Sequence, residues 1–111
     1  HKDEEVRRLA AMAAANIAVY EGNQVQMVTD GVLPPINDLL KSGNEAIELQ
    51  AARCLAYLSQ HEDNKVQIAR DVGIAHFIQL ARSRTQDVQI LAATCLANLS
   101  SVRGVSASWG Q

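Results

Sequence analysis

VRRLAAMAAANIA (6–18), IELQAARCLAYLS (47–59) and VQILAATCLANLS (88–100) align without a gap, each copy 41 residues after the one before. A period of this length marks a repeat architecture, in which one supersecondary unit recurs along the chain. The register is chemical as well as numerical. Val6, Ile47 and Val88 are all β-branched; Ala10, Ala51 and Ala92 coincide, as do Ala11, Ala52 and Ala93; Ile17, Leu58 and Leu99 close the segments. The second and third copies share seven of thirteen residues. The offset carries into the connecting stretches, with Asn23 and Val25 over Asn64 and Val66, Met27 over Ile68, Asp30 over Asp71, Leu33 over Ile74 and Leu39 over Leu80.

Within one period the start and stop signals predict three helices. A short one opens near Asn23 or Asn64, whose side-chain oxygens can cap free backbone N–H groups, and ends by Gly31 or Gly73, which tolerate φ > 0. A second follows at once. In the middle unit Pro34 and Pro35 stand in its first turn, where a missing N–H is harmless, and Ile36, Leu39 and Leu40 form the apolar stripe. The third unit has Ala75-His76 there, a weaker start. The longest helix opens at Asp3, Asn44 and Thr85, each a good N-cap residue.

In the middle copy Ile47, Ala51, Cys54, Leu55 and Leu58 fall at i, i+4, i+7, i+8 and i+11, one face of an α-helix. A single unit has nothing to bury that face on; laid side by side, successive units bury it on one another. The alanine pairs Ala51-Ala52 and Ala92-Ala93 let neighbouring helices approach closely.

A unit of about forty residues with an Asn-led short helix, a Gly, then LPPINDLL (33–40) and a closing AA-x-CLA-x-LS resembles the armadillo repeat, most closely over DGVLPPINDLLKSGNEAIELQAARCLAYLS (30–59). HEAT repeats, normally built of two helices, are the nearest alternative. The resemblance implies an all-α solenoid, a right-handed superhelix, made here of the last helix of one repeat (3–20), a full repeat (21–60) and another (61–101), then an irregular tail or partial cap (102–111). It further implies a concave groove, lined by the third helices, that receives a peptide or helix of a protein partner. In transport receptors of the importin-α kind, groove asparagines hold the partner's backbone and a tryptophan one turn earlier packs lysine stems. Asn16, Tyr57 and Asn98 occupy the first position here, and Met12, Arg53 and Thr94 the second. These six are the candidate partner-binding residues. Asn amides can pair a peptide backbone, and Arg53 with Tyr57 offers an anchor. With no tryptophan in the series, a cargo adaptor for lysine-rich peptides is the secondary expectation.

Composition narrows the remaining classes. The chain has 111 residues, 48% of them hydrophobic, and a formal charge of −2, so it has enough apolar material to fold and no basic field to attract nucleic acid. No apolar run long enough to span a bilayer occurs, and HKDEEVRR (1–8) is not a secretory leader, so an intracellular protein, cytoplasmic or nuclear, is expected. Cys54 and Cys95, one period apart, read as buried free thiols. His1, His61 and His76 lack metal-ligand spacing, and Glu4, Glu5, Glu45, Glu48 and Asp87 sit in first turns where they favour the helix dipole. No phosphate loop, nucleophile–base set or paired-carboxylate pocket can be assembled, so neither a cofactor nor catalysis is expected. Trp109, in the Ser-Gly tail, reads either as a cover for the apolar end of the stack or as an insert into a neighbour. The ends carry no polar capping unit, so the chain reads as a piece of a longer solenoid, with end-to-end self-association as the alternative.

Overall fold

The computed structural model describes residues 2–83 and 85–103, and these are all-helical. The elements in order are α1 (Lys2–Ala18), α2 (Glu21–Thr29), α3 (Leu33–Leu40), α4 (Glu45–Leu58), α5 (Glu62–Ile68), a π-helical turn (Ala69–Gly73), α6 (Ile74–Leu80) and α7 (Gln86–Leu99). Trp109 and the rest of 104–111 lie outside the described residues, as does His1.

The three long helices lie in chain order, α4 packing on α1 along one side and on α7 along the other. Helix α3 packs on α4 and α6 on α7, and α2 meets α5. Burial along the period follows from that order. Ile47, Ala51, Cys54 and Leu58 of α4 are 0% exposed, and so are Val88, Ala92, Cys95 and Leu99 of α7; each set faces the preceding long helix. The same positions on α1, the first of the described helices, are open, with Val6 65% and Ile17 49% exposed. The opposite stripe reverses the pattern. Ala11, Ala15 and Ala18 of α1 and Ala52, Ala56 and Ser59 at the end of α4 are buried, whereas Ala93, Ala97 and Ser100 at the end of α7 are exposed. Among the described residues, only α4 has a long helix on both sides. Small residues on one helix therefore meet larger ones on the next, which permits a close approach of the backbones.

Leu33, Ile36 and Leu40 from α3, Leu55 from α4 and Phe77 from α6 complete the core. Fully burying a side chain of this kind contributes roughly 1.5–3 kcal/mol before entropy is counted.

Several helix starts differ from expectation. Asn44 does cap α4, its Oδ1 accepting from the Ile47 N–H at 3.1 Å. Thr85 has the extended N-cap backbone but makes no side-chain cap bond, and α1 already includes Asp3 within its first turn. Asn23 and Asn64 are not caps. Helices α2 and α5 begin two residues earlier, after Tyr20 and His61, and the His61 ring accepts from the Asp63 N–H. The asparagine amides point the other way. Asn23 Nδ2 donates to the Ile17 carbonyl at 3.1 Å and Asn64 Nδ2 to the Leu58 carbonyl at 3.1 Å, positions one period apart. Each thus adds a second donor to a carbonyl in the last turn of a long helix, which also accepts from a backbone N–H of the following turn. Asn64 also donates to the Gln24 carbonyl at 3.0 Å, tying α5 to α2.

The π turn has a sequence cause. Gly31, at φ +93°, ends α2, with Val32 N–H donating to Met27 O and Gly31 N–H to Val28 O. In the next unit the order Gly31-Val32 is reversed to Val72-Gly73. Valine disfavours positive φ, so the chain cannot reverse at position 72; the helix widens by a turn until Gly73, at φ +92°, allows it.

Candidate interaction face

The long-helix stripe carrying the candidate residues crosses all three units. In α4, Arg53 and Tyr57 are one turn apart, and the guanidinium carbon lies 6.0 Å from the Tyr57 ring centroid, at the limit of a cation–π contact. Arg53 Nε and Nη2 donate to Gln50 Oε1 at 3.0 and 2.9 Å, and Nη2 also donates to Asn16 Oδ1 of α1 at 2.9 Å. These partners are neutral, so they orient the guanidinium without cancelling its charge.

On the other side, Asn98 of α7 donates from Nδ2 to Ser59 Oγ at 3.0 Å and, more weakly, to the Ala56 carbonyl at 3.4 Å. Ser59 Oγ in turn donates to Ala56 O at 3.1 Å. Two separate polar contacts thus tie the long helices, Asn16 to Arg53 between α1 and α4 and Asn98 to Ser59 between α4 and α7. The first brings together Asn16, Arg53 and Tyr57, and Asn98 joins α4 through other residues. Thr94 is exposed one turn from Asn98, with its hydroxyl donating to the Ile90 carbonyl of its own helix at 2.8 Å. Met12 is half-buried one turn before Asn16. The two asparagines differ in what they can offer a ligand: Asn16 is exposed and its oxygen is occupied, whereas Asn98 is half-buried with its amide N–H groups turned toward α4.

A second feature was not anticipated from the sequence. An open groove of about 1000 Å³ lies between the start of α4 and helix α6, lined by Lys41, Glu45, Glu48, His76, Gln79 and Arg82 among others. His76 Nε2 is buried there without a hydrogen-bond partner. Burial lowers the His76 pKa from its ordinary 6.5, with the nearby Lys41 ammonium adding to the effect and Glu48 opposing it more weakly. Two cations and two carboxylates leave this groove with no dominant sign of charge. The signal for it was the Ala75-His76 pair, which reads in sequence only as a poor helix start.

Cys54 and Cys95 are buried free thiols, and burial pushes both up to about 12, far from a reactive thiolate. Among the described residues no group of three or more His, Cys, Asp or Glu side chains is placed to hold a metal ion, and no helix is long and apolar enough to cross a membrane. Neither the protein-family models nor the curated proteins searched match the chain.

Proposed function

We propose that the chain is a run of armadillo-type repeats acting as a non-catalytic protein-interaction scaffold, and that it holds an extended peptide of its partner along the Asn16–Arg53–Tyr57–Asn98 edge. The observation that carries this reading is the Arg53 arrangement. A guanidinium fixed by neutral amides from two helices, beside a half-buried tyrosine, is a preorganised anchor that costs little further ordering on binding. Such an anchor suits a backbone carbonyl or an acidic side chain with an apolar neighbour. The solenoid reading is supported by the 41-residue register and by the matching shift of burial from α1 to α4 to α7. An adaptor for lysine-rich peptides is the poorer fit, because Met12, Arg53 and Thr94 stand where lysine-packing rings are needed and Arg53 repels such a ligand.

The test is selection of binding peptides from a displayed random library, followed by titration against Arg53→Ala/Tyr57→Ala. The double variant should keep the wild-type circular dichroism and lose at least tenfold in affinity for the selected peptides. Undiminished affinity would remove the anchor from the binding site.

A further inference from the structure

Arg53 is a half-buried cation on the middle long helix, and among the described residues no carboxylate comes within ion-pair distance of it. Arg8 and Lys65, by contrast, each lie beside a carboxylate three residues away, at 2.8 and 3.1 Å, and Arg70 and Arg82 are exposed to water. A guanidinium drawn partly out of water loses hydration that neutral oxygens restore only in part. The carboxylates of α4 itself, Glu45 and Glu48, lie in its first turn, where Glu48 accepts from the Gly43 N–H at 2.9 Å.

The hydrogen bonds of Arg53 leave one nitrogen open. Nε and Nη2 both donate to Gln50 Oε1, and Nη2 donates also to Asn16 Oδ1, which engages every N–H on these two atoms. Nη1 carries two further N–H groups with no partner among the described residues, and it is not buried. The stripe around it is uncharged at neutral pH: Met12, Asn16, Tyr57, Thr94 and Asn98 occupy the neighbouring positions on the three long helices. Met12 and Tyr57 are half-buried, so a group reaching Nη1 meets apolar surface beside the charge.

We infer that the peptide held on this edge presents one acidic side chain, whose carboxylate accepts from Arg53 Nη1, with uncharged residues on both sides of it. This deepens the reading of the edge as a peptide site and rests on it. Charge complementarity selects the occupant. A charged acceptor on a charged donor makes a hydrogen bond roughly twice as strong as a neutral pair, and it supplies the counter-charge that Gln50 and Asn16 do not. A single guanidinium in an uncharged stripe matches a single carboxylate and offers a run of acids nothing further to pair with. The edge continues past Arg53 toward Asn16 on α1 and toward Asn98 on α7, so the acid is internal to the peptide rather than its C-terminus.

Two displayed peptide libraries test it, random except for a central residue fixed as Glu in one and as Gln in the other. The Glu library should yield the tighter binders. Its best peptide is then remade with Gln, with phosphoserine, or ending in a free carboxylate at the central position, and each form is titrated against the wild-type chain, Arg53→Gln and Arg53→Ala/Tyr57→Ala. On the wild type, Gln in place of Glu should weaken binding about tenfold to a hundredfold, the range for a hydrogen bond to a charged group; on Arg53→Gln the two peptides should bind alike. Equal affinity of the Glu and Gln peptides for the wild type would overturn the inference without any variant having to fold. If the double variant still lost affinity in that case, the edge would stand as a peptide site and only its preference for an acid would fall. Undiminished binding to the double variant would remove the edge itself and the inference with it. Tighter binding of the phosphoserine form would give the anchor to a phosphate, and of the shortened form to a C-terminus; either result overturns the assignment to an acidic side chain.

Discussion

Asn23 and Asn64 illustrate how one residue type serves two ends of a helix. An asparagine just ahead of an amphipathic stretch reads as an N-cap, yet both amides instead donate to C-terminal carbonyls of the preceding long helix. Short polar side chains can satisfy either kind of open backbone group, and which they satisfy depends on the path of the loop. The two are not energetically equal. Asn64 is buried and makes two bonds, to Leu58 O and Gln24 O, whereas Asn23 is exposed and makes one. Asn64→Ala should lose about 1–3 kcal/mol in urea denaturation, since it removes two buried hydrogen bonds, and Asn23→Ala about 1 kcal/mol or less, since water replaces its amide. Equal losses would mean that the α5–α2 tie contributes nothing. The candidate ligand-binding residues show the same ambiguity: nothing in the sequence indicates that the amide of Asn98 donates to α4 while the oxygen of Asn16 accepts from Arg53.

The long helices were legible in the sequence because their apolar positions recur in one register and because Asn44, with its cap bond, marks a start unambiguously. The short helices were less so. Their ends depend on which of two adjacent positions holds the glycine, and moving it from 31 to the equivalent of 32 turns a plain helix end into a π turn. Helix α6, which follows that turn, carries His76 into the groove beside Lys41. With its folded pKa below 6.5, His76 binds its proton more readily in the unfolded chain. Its contribution to stability is therefore complete above about pH 7 and is lost as pH falls below the unfolded value toward the folded one. Between about pH 7 and 5, above the ordinary carboxylate range, the Tm of the wild-type chain should fall more steeply than that of His76→Gln. Parallel curves in differential scanning calorimetry would show that His76 is as solvated in the folded chain as in the unfolded one.

At the scale of the molecule, the sequence told of three equivalent helices but not of how unequal their surroundings are. Position 17 and its counterparts 58 and 99 have nearly the same chemistry, yet the first is half-exposed and the others sealed, because among the described helices only the later two have a long helix before them. Side-by-side order is the claim from which the interaction face follows. It is tested most directly by truncating the same position in all three helices and measuring unfolding free energies in urea. Leu58→Ala and Leu99→Ala should each cost about 2–5 kcal/mol, the range for leucines cut back in a sealed core, and Ile17→Ala within about 0.5 kcal/mol of zero. Comparable losses at all three positions would mean that the helices surround a common centre, and the ordered stack would be wrong.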